Sequence, residues 1–267
     1  YRYGPRPIHF CDDHDVLGCD FYLMNYIEGL VIRREYPPTL QLTATQIRAQ
    51  LFNFFDVLSE LHAVDLVEAG LDTFGKPAGY VLRQVDGWRR RWEDAITPDT
   101  VNCDATIKWL MDNMPAESGR ASVIHNDYKM DNVIFSLQDP LQVIGVLDWE
   151  MSTVGDPLMD LGCTLGYWTQ ISDPDFFRES RTMPSDIEGA PTRAEIIARF
   201  QQQTGLAVDN FPFYFCFGLF RLAVIGQQIY YRYYHGLTRD QRFAGFIKKT
   251  HVLQQMCELI ISGKISS

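Results

Sequence analysis

The chain has 267 residues, is 46% apolar and carries a net charge of −10. It is long enough to bury a substantial core as one large domain or two unequal lobes. The uniform acidity argues against nucleic acid as a partner, because phosphate neutralisation dominates that affinity. It is compatible with a cationic ligand or with carboxylates gathered around a metal ion. The six cysteines are scattered, with no C-x-x-C pair, and read as reduced thiols in a cytoplasmic protein. The most apolar segment, Phe211 to Ile225, is interrupted by Arg221 and is too short to span a bilayer, so no membrane partner is expected.

In chain order, Pro7 to Phe10 reads as a short strand, followed by a polar loop from Cys11 to Gly18. Phe21 to Ile27 (FYLMNYI) reads as a buried strand ended by Glu28-Gly29. Thr43 is a candidate N-cap for a helix from Ala44 to Ala63, with Leu51, Phe54, Phe55, Leu58 and Leu61 as its core stripe. A second helix spans Tyr80 to Ala95. Its arginines, Arg89 to Arg91, read as a solvated face, with an anionic acceptor as the sharper alternative. A third helix is expected from Thr106 to Asn113. Strands follow at Ala121 to Ile124, Asn132 to Ser136 and Val143 to Leu147. Asp156 and Pro157 open a helix to Trp168. Residues 170 to 190 read as loop. Further helices span Thr192 to Gln203, Asn210 to Tyr234 and Thr238 to Ser262. Strands crowd the start and the region of residues 121 to 147, the C-terminal part is helical, and the fold class is α+β.

The chemistry concentrates in VIHNDYKMDNVIFSLQDPLQVIGVLDWE, residues 123 to 150. Polar residues delivered at the ends of apolar strands are costly unless they are paired, hydrated or bound to a metal. Asp127 can accept a proton from a hydroxyl. Five residues on, the Asn132 carbonyl can coordinate a hard cation such as Mg2+. Lys129 can neutralise a transferred phosphoryl group. Asp148, ending an apolar strand, supplies a second metal-ligating carboxylate. His125 is expected to hold the loop by hydrogen bonding. Glu150 reads equally as a metal-site residue or an exposed loop glutamate. Asp156 and Asp160 read as a helix cap and a buried ion pair.

The run H-x-D-x-x-x-x-N, with the later aspartate, resembles the aminoglycoside phosphotransferase-like branch of the protein-kinase-like fold. This resemblance implies a two-lobe α+β fold with a truncated N-lobe and a mostly helical C-lobe. Residues 1–29 would be the remnant of the N-lobe with its hinge strand, and 30–267 the C-lobe. Asp127 would be the catalytic base, with Lys129 beside it. Asn132 and Asp148 would be the Mg2+ ligands. The Asn25 carbonyl and the Ile27 N–H would bond the adenine of ATP, with Met24 lining its pocket. The glycine-rich loop and phosphate-binding lysine of the family would precede Phe21 and are not in this sequence.

FYLMNYIEG, GKPAGYVLRQVDGW and VIGVLDWEMSTVGDPLMDLG narrow the resemblance to phosphotransferases associated with acyl-CoA dehydrogenases. That implies a functional link to such a dehydrogenase and a small-molecule hydroxyl acceptor, a hydroxy acid or hydroxyacyl-CoA. A nucleotide-binding pseudokinase and an aminoglycoside- or choline-type kinase are the alternatives. Arg221, Gln228, Tyr231 and Tyr234 are candidate acceptor contacts.

Overall fold

Strands gather at the start and in the middle of the chain, and after Gly155 it is helical, the α+β pattern that the hydropathy predicts. The computed structural model describes residues 1–265. It opens with an antiparallel ribbon of β1 (Pro7–Cys11) and β2 (Phe21–Met24), joined through one helical turn, α1 (His14–Leu17). Asp13 caps that turn and Gly18 ends it at φ +77°, so the stretch expected as plain loop is an ordered connection. The strand expected over Phe21 to Ile27 stops at Met24 and is exposed rather than buried. Tyr22 is 60% and Met24 45% exposed. A two-stranded ribbon lacks a neighbouring sheet to cover its apolar side chains, so composition alone does not bury them.

Helix α2 (Ala44–His62) starts at a capping box between Thr43 and Gln46. Its stripe, Leu51, Phe54, Phe55, Leu58 and Leu61, is buried as the spacing predicts. Helix α3 (Tyr80–Glu93) follows, and then α4 (Asp104–Asp112). The latter begins two residues earlier than expected, where the Asn102 side chain accepts the Asp104 N–H.

The middle of the chain holds β3 (Ser122–Ile124), β4 (Val133–Phe135), β5 (Val143–Val146) and β6 (Thr153–Gly155). Strands β4 and β5 pair as an antiparallel hairpin, with Val133 opposite Val146. Strand β3 pairs antiparallel with β6, Ser122 opposite Gly155. Three residues, Thr-Val-Gly, are too short to betray a strand by periodicity. Leu30 bridges Phe135 through two hydrogen bonds of 2.8 Å. Gly29 permits this approach, since a Cβ there would run into Ile134 and the Phe135 carbonyl.

The remaining helices are α5 (Pro157–Gly166), α6 (Asp175–Arg178), α7 (Arg193–Thr204), α8 (Phe211–Tyr234) and α9 (Phe246–Ile261). The one-turn α6 lies within the stretch expected as loop. The last helix, expected from Thr238, begins as a 3-10 turn over Gln241–Gly245 capped by Asp240. Helix α5 is buried along its length and packs backbone to backbone on α8. A Cβ on Gly162 would strike the Tyr214 carbonyl, and one on Gly218 would strike that of Gly162. Phe213, Phe215, Phe217 and Phe220 of α8 join Phe54 and Trp168 in the core. Each such side chain contributes roughly 1.5–3 kcal/mol on burial. Among the described residues, no helix is long and apolar enough to cross a membrane.

Candidate functional site

The site is built on the loop between β3 and β4. His125, the first residue after β3, is fully buried. Its Nε2 donates to the Leu147 carbonyl at 2.8 Å, and its Nδ1 accepts the Asp127 N–H at 3.2 Å. One ring thus ties the loop to the end of β5, the holding role expected from the sequence. Asn126 sits at φ +65°, a region that costs a side-chain-bearing residue free energy. Asp160 of α5 holds it there. That carboxylate accepts the N–H of His125 at 2.8 Å and of Asn126 at 2.7 Å, and the Nε2–H of His62 at 2.9 Å. Burial alone would push the Asp160 carboxyl up. The His62 ring and the His125 N–H outweigh burial and hold it below the usual range. Asp156 caps α5 through the Leu158 N–H at 2.8 Å. A third anchor is Tyr128, whose buried hydroxyl donates to the Phe54 carbonyl at 2.7 Å.

Held between these anchors, Asp127 is surrounded by donors. Its Oδ2 accepts Lys129 Nζ at 2.8 Å and Asn132 Nδ2 at 3.1 Å. Its Oδ1 accepts the Tyr167 hydroxyl at 2.8 Å. Burial first, and then the charge on Asp127, push the Tyr167 phenol well above its usual value, so it stays a donor at neutral pH. Lys129 also lies over the Tyr167 ring, 5.5 Å from its centroid.

Asn132 donates through Nδ2 to the Asp127 carbonyl at 2.9 Å as well. Its Oδ1 is left unspent by these bonds. The Asn132 backbone carbonyl accepts the Leu147 N–H at 2.8 Å, which continues the β4–β5 ladder by one residue. Asp148 comes next, exposed, at φ +66° and ψ +57°, with no side-chain bond to the turn that follows. The two expected metal ligands therefore sit on neighbouring strand ends. Both present hard oxygen donors, one amide and one carboxylate. That set fits Mg2+, which takes one or two protein oxygens and completes its shell with water and phosphate. Glu150 is exposed one turn further on.

The expected nucleotide-facing residues lie at the end of the N-terminal ribbon. Asn25 takes the Arg6 N–H on its side chain and donates its own N–H to the Arg6 carbonyl at 3.1 Å. Among the described residues, the Asn25 carbonyl and the Ile27 N–H have no backbone partner. The Ile27 side chain lies against Gly145 of β5, and Met24 is exposed.

The arginine run is the solvated face expected first, and the suggested acceptor contacts narrow. The Arg89 to Arg91 run is spent locally: Arg89 pairs with Asp86 and Glu93, Arg90 pairs with Asp86, and Arg91 stacks on Trp88. Two carboxylates thus offset two of the three guanidiniums on this surface. Of the suggested acceptor contacts on α8, Arg221 lies by the site. It is 2% exposed, its NH2 reaches Met151 Sδ at 3.5 Å, and Asp127 and Tyr167 are among the groups that keep it charged against burial. Tyr231 stacks on His235 and Tyr234 lies against the same ring, at the far end of a 24-residue helix. At 1.5 Å per residue they are roughly 15–20 Å along the axis from Arg221.

Tyr167 and Asn126 were not anticipated. For Tyr167 a signal existed: Asp160 and Tyr167 are seven residues apart, two turns along one helix face. The left-handed backbone of Asn126 and Asp148 carries only the weak cue that Asn and Asp tolerate it.

Known proteins match this chain along most of its length. The model of the phosphotransferase enzyme family (APH) matches residues 3–195. Mouse acyl-CoA dehydrogenase family member 10 is 33% identical over 257 residues, 96% of this chain and 23% of that protein. Chicken acyl-CoA dehydrogenase family member 11 is 30% identical over 255 residues, 94% of this chain and 32% of that protein. The chain thus spans about a quarter to a third of the length of these relatives. Among solved structures, a putative aminoglycoside phosphotransferase from Ralstonia eutropha superposes with a TM-score of 0.83 at 28% identity, covering 98% of this chain and 79% of that one. A choline/ethanolamine kinase family protein from Mesorhizobium loti shares the fold, with a TM-score of 0.57 at 12% identity, over 97% and 74% of the two chains. The chain belongs to the phosphotransferase enzyme family.

Proposed function

We propose that this protein transfers the γ-phosphoryl group of ATP to the hydroxyl of a small molecule, a hydroxy acid or hydroxyacyl-CoA. The observation that carries the reading is the juxtaposition at the β3, β4 and β5 ends. A carboxylate fixed by three donors, Asp127, stands beside a cation-compatible pair, Asn132 and Asp148. On this reading, residues 1–29 carry the nucleotide-facing strand and hinge, and 30–267 carry the rest of the site. The free Asn25 carbonyl and Ile27 N–H would take the adenine edge, with Met24 along its face. The support for an acyl acceptor is the likeness to a segment of proteins named for acyl-CoA dehydrogenases. A functional link to such a dehydrogenase is proposed on the same ground.

Phosphoryl transfer is mostly positioning and electrostatics, so the chain's own residues have limited tasks. Mg2+, when bound at Asn132 and Asp148, supplies charge neutralisation at the phosphates. Asp127 orients the acceptor hydroxyl and takes its proton as the new O–P bond forms and the bond from Pγ to the ADP oxygen breaks. Lys129, held at Asp127 Oδ2, places positive charge where the γ-phosphoryl group passes. His125 and Asp160 keep the loop in place throughout.

The experiment is ADP formation from Mg-ATP by the intact gene product across hydroxy acids, hydroxyacyl-CoAs, choline and aminoglycosides. Acceptor-stimulated turnover that is lost in Asp127→Asn supports the reading. Tight ATP binding with no acceptor-stimulated turnover points instead to a nucleotide-binding protein without catalysis.

A further inference from the structure

Oxygen by oxygen, the surroundings of Asp127 are unequal. A carboxylate oxygen accepts about two hydrogen bonds. Oδ2 already holds two, from Lys129 and Asn132. Oδ1 holds one, from Tyr167. The open acceptor position on Asp127 is therefore on the oxygen that Tyr167 touches. A hydroxyl arriving there becomes a neighbour of the phenol.

Tyr167 also faces a cleft. An open cleft of about 180 Å3 lies between the end of α5, the segment around α6, and helices α8 and α9. Ligand pockets are walled mainly by apolar side chains, and so is this cleft. Tyr167 lines it together with Phe177, Leu222, Ile225, Phe246 and Leu253. No carboxylate is among the lining residues, while Arg181 and Lys249 are. Arg181 is occupied by Glu35 and Asp186, whereas Lys249 lies over the Phe246 ring. A polycationic acceptor finds no counter-charge here.

Resting on the phosphotransferase reading above, we propose that Tyr167 is a positioning residue for the acceptor. Its hydroxyl fixes Asp127 through Oδ1. Its ring is the inner wall of an acceptor cleft whose apolar lining receives the carbon chain and directs the reacting hydroxyl to the open position on Oδ1. Acceptors are then neutral or anionic alcohols on an apolar chain, and the wall sets how far the hydroxyl stands from the chain end.

Two variants and two readouts test this. In Tyr167→Phe the ring stays and the Asp127 bond is lost. The expected result is a kcat lower by about 10- to 100-fold, the loss typical of a mispositioned reacting group, with the KM for ATP and the melting midpoint unchanged. Ile225→Trp fills the cleft. It should raise the acceptor KM about 10-fold or more at unchanged KM for ATP, since it removes binding that does not involve the nucleotide. The second readout needs no turnover. In protein labelled with 3-fluorotyrosine, the Tyr167 resonance, assigned by its loss in Tyr167→Phe, should move in Asp127→Asn. It should also move on adding 1-hexanol to the otherwise wild-type protein, and not in Ile225→Trp. A Tyr167→Phe enzyme with kcat within about twofold of wild type would overturn the proposal, because a group that fixes the reacting geometry costs far more. So would a Tyr167 resonance indifferent to both Asp127→Asn and the alcohol. If no acceptor supports turnover in the wild-type protein, the phosphotransferase reading fails, and the fluorine resonance still decides the cleft.

Discussion

Asp160 is the residue whose removal should cost most for the smallest change of shape. It is fully buried and accepts from the His62 ring, the His125 N–H and the Asn126 N–H at 2.9, 2.8 and 2.7 Å. Asp160→Asn keeps the volume but leaves one acceptor oxygen and adds an NH2 that must face a donor. Each bond to a buried charge is worth about 1.5–3 kcal/mol, and opening such a network about 3–5 kcal/mol. We expect a loss of about 3 kcal/mol in urea unfolding at pH 7, a large part of the 5–15 kcal/mol typical of a domain. The loss has a signature in pH. The Asp160 carboxyl is held below its usual range in the fold. Its contribution is thus present above the unfolded value, about 3.9, and is lost as pH falls through the lower folded value. The gap between wild type and variant should therefore shrink as pH drops below about 4. Turnover should fall as well, because Asn126 at φ +65° loses what holds it. A loss below about 1 kcal/mol, or a gap that stays constant into acid, would refute the clamp.

Other consequences are simpler to read. Asn132→Ala and Asp148→Ala should each raise the Mg2+ concentration for half-maximal activity about 10-fold or more while leaving the fold intact, measured by magnesium titration at saturating ATP. Gly162→Ala places a methyl against the Tyr214 carbonyl across the α5–α8 contact. Overpacking usually costs about 1–3 kcal/mol, and with rigid backbone on the far side the upper end is expected in thermal or urea unfolding. Replacing Arg89 or Arg90 by Ala should change acceptor KM by less than about twofold, because both guanidiniums are spent on neighbouring carboxylates at the surface.

The helices were legible because their signals are local and repeated. Thr43, the stripe from Leu51 to Leu61, and Asp156 with Pro157 each state a boundary or a face within a short stretch. The polar residues of the loop and the two strands β4 and β5 were equally readable, since their apolar runs stand out. What was hidden depends on contacts distant in sequence. Strand β6 is three residues long and exists because β3 pairs with it. Tyr167 gains its place through a hydrogen bond that spans 40 positions. The exposure of β2 follows from which strands surround it, and its own composition says the reverse. The arginine run reads as a solvated face and is one, yet a charge count does not show that Asp86 and Glu93 are the carboxylates that Arg89 and Arg90 take.

The central claim is that Asp127 serves as the base in transfer of phosphoryl from ATP to an alcohol. It is tested most directly by following Mg-ATP and an acceptor with 31P NMR, in the wild-type protein and in Asp127→Asn. The account predicts a phosphomonoester resonance growing in step with ADP, slowed by about 10²- to 10⁴-fold in the variant at similar ATP affinity. Phosphomonoester formed at an undiminished rate in Asp127→Asn, or ADP appearing with inorganic phosphate alone for every acceptor, would contradict it.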